Sequence, residues 1–418
     1  MDPLAETSEP TLTSPAWHNR YPALIYPNFR LWFVGQVIAA FGMWMQSTAQ
    51  GYLVYELTQS PAYLGYVSFA NGVPTWLFTL YGGVIADRVP RRTLMLITQT
   101  SMMILAAVLA TLTLLHLIQP WHILVLAFLL GVCTAFDNPA RQAFTLEIVD
   151  RQDLANAVVL NSMMFNLATT VGPAMAGFTY ALVGPGWCFA LNALSFTGVL
   201  SILVLIKVKP VALTPRGRSV LNDMKEGLKF AAGEPSVRAL LFTVGMISLF
   251  GMPFTTLFPA WAVRVLGGDA TTNGLLQSAR GAGSLISAIV IASLGRFNYK
   301  GKILTAGTLT LPIMILLFSQ VRWLPLSLLT LVGCGLAFIP IVNIASALVQ
   351  TYTPDHLRGR VMGIYTLIFF GMWPLGGLWA GAVAQRFGEQ AAVALGGSIV
   401  LVLAVAVYVF IPRLRALE

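Results

Sequence analysis

Long apolar stretches alternate with short polar connections along the whole chain. Runs such as Met102–Leu115 and Val393–Ile411 are almost continuously apolar and show no alternation with period two. In lipid, only helices and closed barrels satisfy their backbone groups, and barrel strands alternate apolar with polar residues. The pattern therefore predicts an all-α polytopic membrane protein. We place its twelve spans at about 30–55, 62–86, 93–116, 121–145, 154–183, 186–207, 236–265, 272–295, 302–320, 323–350, 358–385 and 390–411.

One polar stretch is much longer than the other connections and divides the spans into two sets of six. We expect each set to form one bundle. The predicted organisation is a tail at 1–28, a first six-helix bundle at 29–207, a basic linker at 208–235, a second six-helix bundle at 236–412 and a tail at 413–418.

Composition and charge agree with a membrane protein. Only 10% of the 418 residues are charged and 57% are apolar, whereas a soluble domain carries about 25% charged residues. If the N-terminus is cytoplasmic, all but four of the 25 Lys and Arg residues lie on the inner side. This asymmetry follows the positive-inside rule and predicts that both termini are cytoplasmic. The net charge of +9 then faces anionic lipid, not nucleic acid.

Cysteine and histidine residues give no sign of a metal or catalytic site. The three cysteines are far apart, and the four histidines lie in the tail or near helix ends. No P-loop and no Ser/His/Asp constellation occurs in the sequence. We therefore expect no enzyme activity, no cofactor and no resident metal.

The connection after the second span carries one acid and three bases. It runs Gly83-Val84-Ile85-Ala86-Asp87-Arg88-Val89-Pro90-Arg91-Arg92. This resembles the signature loop of the major facilitator superfamily, G-x-x-x-D-R/K-x-G-R/K-R/K, with Pro90 in place of the second glycine. The resemblance implies twelve spans in two related bundles and a loop that packs against the eleventh helix and steadies the outward-open state.

The same resemblance assigns a conformational latch. We assign that role to Asp87 and Arg91, with Asp137 near the inner end of the fourth span as a partner for Arg91. Asp137 and Arg141 are four residues apart and can instead pair with each other. A degraded second copy of the loop lies at 295–302. The predicted latch set is Gly83, Asp87, Arg88, Arg91, Arg92, Asp137 and Arg141.

A second region is similar to one bacterial branch of this superfamily. The stretch Phe136-Asp137-Asn138-Pro139-Ala140-Arg141-Gln142 and the cluster Gly172, Pro173 and Gly177 resemble the exporters that include the enterobactin exporter and the macrolide efflux proteins. The cluster is similar to the antiporter motif of the fifth helix. Ordinary tight helix packing explains the same small residues. The resemblance places the chain in a bacterial inner membrane.

Helical spacing selects candidate cavity residues. The resemblance to the superfamily separately implies a cavity lined by helices one, four, seven and ten. The first span carries a polar stripe, and the seventh carries an aromatic stripe that Trp261 continues. The aromatic stripe fits a pocket, helix packing or a lipid-facing surface. The candidates are Gln36, Met43, Gln46, Gln50, Phe250, Phe254, Phe258, Arg280 and Asn343.

Charged groups inside the spans are few. Arg280 is the only basic residue well inside a predicted span. It binds an anionic group or replaces a proton site in one interpretation, and it extends to the outer interface in the other. A proton antiporter needs a titratable carboxylate in its pathway, and Glu56 and Asp137 are the candidates.

These observations lead to a first hypothesis and two alternatives. The first is a secondary-active exporter that works by alternating access, for which the family resemblance implies proton-coupled efflux of an amphiphilic drug-like compound or siderophore. The alternatives are an importer of the same fold and, less favoured, a lipid scramblase. The expected partners are a small-molecule substrate, membrane lipid and protons, and we expect a monomer.

Overall fold

The structure, a computed structural model, describes residues 21–206, 220–293 and 299–410. The tails and parts of the linker and of the predicted second loop copy lie outside these residues. The described part is helical throughout. A linker helix occupies Val220–Gly233, and the long helices are α1 Pro27–Thr58, α2 Pro61–Arg88, α3 Arg91–Leu114, α4 Pro120–Ile148, α5 Leu154–Val183, α6 Pro185–Leu205, α7 Pro235–Val265, α8 Ala270–Ser293, α9 Lys300–Gln320, α10 Leu324–Tyr352, α11 Asp355–Phe387 and α12 Glu389–Phe410.

Ten of these described helices, α3 to α12, are long and apolar enough to cross a membrane. Helices α1 and α2 are equally long but less apolar. In α1 the buried residues include Gln36, Gln46 and Gln50, so its polar groups contact protein instead of lipid. The predicted all-α membrane fold is confirmed.

Proline sets the start of several helices. Pro27, Pro61, Pro120, Pro185 and Pro235 each open one of them, where a missing N–H costs nothing because it would have no intrahelical partner. Helix α7 is not uniform. It contains π-helical turns at Ile247–Gly251 and Trp261–Val265 and a 3-10 turn at Pro253–Leu257.

One face of the protein, which we call the N-terminal face, holds the start of α1 and the α4–α5 turn. The Tyr26 hydroxyl donates to Asp153 at 2.7 Å and to Asp150 at 3.0 Å. The hydrogen bond to Asp153, together with partial burial and the hydrogen bond to Asp150, raises the pKa of Tyr26 to about 12. Tyr26 therefore stays a neutral donor that fixes the start of α1 at this face.

Helix α2 runs antiparallel to α11, and their close glycine contacts lie away from the N-terminal face. A Cβ added to Gly65 would lie 2.6 Å from the carbonyl oxygen of Gly377, and one added to Gly72 would overlap Pro374. Gly83 follows Gly72 by three helical turns on the same line, yet nothing lies within 4 Å of its Cβ position. Gly363 of α11 has the same open surroundings. The two helices separate toward the N-terminal face.

Helices α5 and α8 form a second seam of the same kind. A Cβ added to Gly177 would lie 2.8 Å from the carbonyl oxygen of Ala270, and one added to Gly281 would lie 2.6 Å from that of Thr169. Farther toward the N-terminal face on the same helix lines, Ala292, eleven residues after Gly281, is exposed, and Val159, eighteen residues before Gly177, is 54% exposed. Both seams are therefore closed at the opposite face and open at the N-terminal face.

Candidate functional site

The predicted latch loop is a two-residue connection. Helix α2 ends at Arg88, and α3 begins at Arg91 after Val89 and Pro90. Pro90 has φ −52° and ψ 121°, an extended conformation that a proline ring favours. The substitution of proline for the superfamily's glycine is therefore compatible with this turn. The side chain of Asp87 lies outside the described part of the structure.

The latch arginines bind within the first half of the chain. Arg91 pairs with Glu147 of α4 at 2.7 Å, and Arg92 donates to the carbonyl oxygen of Val204 in α6 at 2.8 Å. The expectation that Asp137 partners Arg91 is therefore wrong in this conformation. Glu147 lies near the end of α4, level with Arg91, whereas Asp137 lies ten residues deeper in that helix.

Asp137 is fully buried and belongs to a polar cluster. Its carboxylate pairs with Arg141 and accepts a hydrogen bond from the Thr98 hydroxyl of α3 at 2.8 Å. Arg141 also donates to the amide oxygen of Gln36 at 3.2 Å. The alternative pairing of Asp137 with Arg141 is confirmed. Asp137 is eleven positions before the end of α4, about 16 Å along the helix, so it lies well inside the bundle.

Helix α1 carries four of the cavity candidates, which are Gln36, Met43, Gln46 and Gln50. Two of them contact other helices of the first half of the chain. Gln36 contacts Arg141 of α4, and Gln46 accepts a hydrogen bond from Asn192 of α6 at 2.6 Å. The amide oxygen of Gln46 is therefore bonded between α1 and α6, within the first half. Met43 is half-buried and Gln50 is buried.

The aromatic stripe of α7 packs inside the second half. Phe254 and Phe258 are buried against Phe318 of α9, with ring centroids 5.9 and 6.0 Å apart. Phe250 packs edge-on against Trp379 of α11 at 5.4 Å. Phe254 and Phe258 therefore pack in the apolar core of the second half, and Phe250 is half-buried against Trp379.

The glycine and proline cluster of α5 is a point of close helix approach. A Cβ on Gly172 would lie 2.8 Å from the Cβ of Trp44 in α1. The carbonyl oxygen of Pro173 and the backbone of Gly177 meet Gly274 of α8. Gly172, Pro173 and Gly177 therefore allow α5 to contact both α1 and α8.

Two cavity candidates of the second half lie apart from that aromatic core. Arg280 is half-buried in the middle of α8, ten residues from its start, and its Nε atom is buried with no hydrogen-bond partner among the described residues. Asn343 is exposed on α10.

The face opposite the N-terminal face carries contacts that sequence patterns did not indicate. Arg264 of α7 donates to the carbonyl oxygen of Gln59 at 2.6 Å and pairs with buried Glu389 of α12 at 3.2 Å. Ser60 donates to the side chain of Gln385 in α11 at 2.8 Å. We call Arg264, Gln59, Glu389, Ser60 and Gln385 the opposite-face lock, because it joins helix ends of both halves.

Glu56 lies at this same face and is exposed. Its carboxylate accepts a hydrogen bond from the hydroxyl of Tyr180, and Tyr180 packs edge-on against Tyr52. Glu56 is thus held by an aromatic pair at the rim of the closed face, far along α1 from the Asp137 cluster.

We expect Arg264→Gln to weaken the opposite-face lock. The substitution removes a charge-assisted bond to the Gln59 carbonyl, a class of interaction with a net value of about 1.5–3 kcal/mol. Spin labels on Leu57 and Phe387, both exposed at this face, should report longer and broader distances. Arg386→Gln removes an exposed arginine of the same face and should leave the distances as they are. Unchanged distances in Arg264→Gln would contradict the lock.

Comparison with known proteins places this arrangement in a family. The model of the transmembrane secretion effector family matches residues 20–418, and the chain belongs to that family. It is similar to the multidrug efflux pump Tap of Mycolicibacterium fortuitum, with 28% identity over 88% of this chain and 91% of that protein. It is also similar to the enterobactin exporter EntS of Escherichia coli, with 25% identity over 93% and 94%.

Solved structures show the same fold. The crystal structure of a mutant of the peptide transporter POT matches with a TM-score of 0.75 and 14% identity, covering 93% of this chain and 95% of that one. The resemblance to the major facilitator superfamily and to its bacterial exporters is confirmed. The chain is a multi-pass membrane transport protein.

Proposed function

We propose that the protein is a secondary-active exporter of amphiphilic small molecules, driven by protons. The observation that carries this proposal is the one-sided closure of two seams. Helices α2 and α11 touch at Gly65 and Gly72 but part at Gly83. A bundle pair that is closed at one face and open at the other is one of the two states that alternating access requires. Efflux is the activity named for Tap, and export is the activity named for EntS.

We further propose that the twelve long helices form two six-helix bundles with both termini in the cytoplasm. Separate apolar cores support the division, because the largest one contains only residues between 231 and 400. The positive charges support the orientation. The N-terminal face is then the cytoplasmic face of the inner membrane, and the described conformation opens to the side from which an exporter loads its substrate.

Asp137 is our candidate for the proton-carrying group, in preference to Glu56. A carboxylate buried among α3, α4 and α1 can exchange its bond with Arg141 for a proton, and Arg141 is 28% exposed. Proton binding at Asp137 would free Arg141 from its partner and couple protonation to the packing of three helices. Glu56 is exposed at the closed face, which provides less coupling to a buried pathway.

Proteoliposomes test the function directly. Purified full-length protein should move members of a panel of neutral, cationic and anionic amphiphilic dyes against their gradient when a proton gradient is imposed. The direction of movement separates export from import. A dithionite assay without any gradient tests lipid scrambling. Absence of gradient-driven transport across a broad panel of neutral, cationic and anionic amphiphiles would contradict the proposed function.

We expect Asp87→Asn to slow the conformational cycle while substrate affinity stays within about threefold of wild type. Asp87 is the penultimate residue of α2, next to the connection whose Arg91 and Arg92 hold α4 and α6. A negative charge at this position would stabilise the state in which this face is closed. Transport rates and binding constants measured on the same preparation check this. A large loss of affinity with a normal transport rate would contradict the latch assignment.

A further inference from the structure

A polar stripe follows α8 through the middle of the protein. Its residues are separated by four, three, four and three positions, which places them on one face of the helix. The opposite side of α8 exposes Ile286, Ile289 and Val290. The stripe therefore faces the interior, and it consists of Asn273, Gln277, Arg280, Ser284 and Ser287.

The neighbours of α8 define where the stripe points. Gly281 marks the contact with α5, and Gly283 marks the contact with α10, where an added Cβ would meet the carbonyl of Val332. The stripe lies between these two contacts. There the amide oxygen of Gln277 is 3.4 Å from the hydroxyl of Thr48 in α1. Gln277 thus faces the meeting point of the two halves, at the closed end of the opening toward the N-terminal face, whereas Ser287 at the other end of the stripe donates to the carbonyl oxygen of Leu336 in α10 at 2.9 Å.

Several polar atoms of the stripe have no hydrogen-bond partner among the described residues. They are both amide atoms of fully buried Asn273, the Nε atom of Arg280 and the hydroxyl of Ser284. Buried polar groups are nearly always paired. Three acids of the spans are engaged elsewhere, since Asp137 pairs with Arg141, Glu56 accepts a bond from Tyr180 and Glu389 pairs with Arg264.

We propose, on the basis of the exporter function above, that this stripe is an oxyanion site for the substrate. Arg280 binds a carboxylate-like group, and Asn273 and Ser284 lie one or two turns away on the same face to donate further hydrogen bonds. A guanidinium presents its N–H groups in a planar fork that matches such an anion. The substrate class is then an amphiphile with an apolar body and one anionic group.

The test uses purified full-length protein in neutral detergent and pairs of probes that differ only in charge. One pair is 8-anilino-1-naphthalenesulfonate and N-phenyl-1-naphthylamine, and the others are aromatic carboxylic acids and their methyl esters. We expect wild type to bind the anionic members about tenfold or more tightly than the neutral ones. Arg280→Gln should abolish this preference without changing the neutral affinities, and Arg280→Lys should keep part of it. Arg386→Gln, at the exposed surface, should keep all of it.

The other outcomes each decide against the site. A wild type that binds anionic probes no more tightly than neutral ones overturns it, as does an Arg280→Gln variant with an unchanged preference. Loss of the anion preference on adding phosphatidylglycerol, but not phosphatidylcholine, would assign the site to lipid headgroups. If Arg280→Gln does not elute as a single species, Arg280→Lys and Asn273→Ala decide, and an unchanged preference in both overturns the site.

Failure of the site is distinguishable from failure of the exporter proposal. Proton-driven transport of a neutral or cationic dye by Arg280→Gln at the wild-type rate, with no anion preference in wild-type binding, would leave the exporter function standing. Absence of transport for every dye would overturn the exporter function, while the binding constants would still decide the oxyanion site.

Discussion

The Asp137→Asn variant should lose proton-driven transport by about 100-fold or more, because Asp137 is the only buried acid among the first-half acids whose side chains the structure describes. An asparagine keeps the shape and can still accept the Thr98 hydrogen bond. It cannot exchange a proton or neutralise Arg141. Counterflow of labelled substrate without a gradient should continue, since it needs only the change of conformation. Dye transport and counterflow in the same proteoliposomes measure the two effects separately.

Loss of folding is the alternative explanation for an inactive Asp137→Asn, and a second variant excludes it. Removing one partner of a buried ion pair lowers the free energy of unfolding by about 3–5 kcal/mol. We expect a smaller loss here because the Arg141 side chain reaches solvent. The double variant Asp137→Asn with Arg141→Gln removes the charge imbalance, and we expect it to be stable and still uncoupled. Asp150→Asn, which leaves the Tyr26 bond to Asp153 intact, is the matched control and should stay coupled. A coupled Asp137→Asn would contradict the assignment.

The membrane fold follows from the sequence because lipid leaves the backbone so few choices. Ten of the predicted spans correspond to described helices that are long and apolar enough to cross a membrane. The signature loop after α2 indicates the family. Helix ends deviate by a few residues, as in α4, which extends to Ile148 where the sequence predicted about 145. Such extensions are expected where helices project beyond the hydrocarbon region.

The site residues were harder to place because spacing along one helix does not identify the neighbour across from it. Gln36 and Met43 are seven residues apart and share one face of α1. Gln46 instead faces α6, where the Asn192 side chain donates a hydrogen bond to it. The α7 aromatics have the same periodicity whether they line a pocket or fill a core, and Phe318 of α9 decides for the core. Arg264 of the opposite-face lock binds a backbone carbonyl, which no side-chain motif encodes.

Leucine substitutions at two glycines of α2 should shift the conformational equilibrium in opposite directions. Gly72 contacts Pro374 of α11 at the closed end of the seam, whereas Gly83 lies in open space three turns away. Overpacking costs about 1–3 kcal/mol or more where the backbone must move, which corresponds to roughly 5- to 150-fold in the equilibrium between states. Gly72→Leu should favour the state open at the opposite face, and Gly83→Leu should favour the state described here.

Two pairs of spin labels separate these outcomes. Leu57 with Phe387 reports the opposite face, and Pro90 with His356 reports the N-terminal face; all four residues are exposed. Gly72→Leu should lengthen the first distance and shorten the second, and both variants should slow transport because each blocks one half of the cycle. Gly83→Leu serves as the matched control for helix stability, since it places the same side chain on the same line of α2. Identical distance changes in the two variants would contradict the proposal that α2 and α11 separate at one face when they approach each other at the other face.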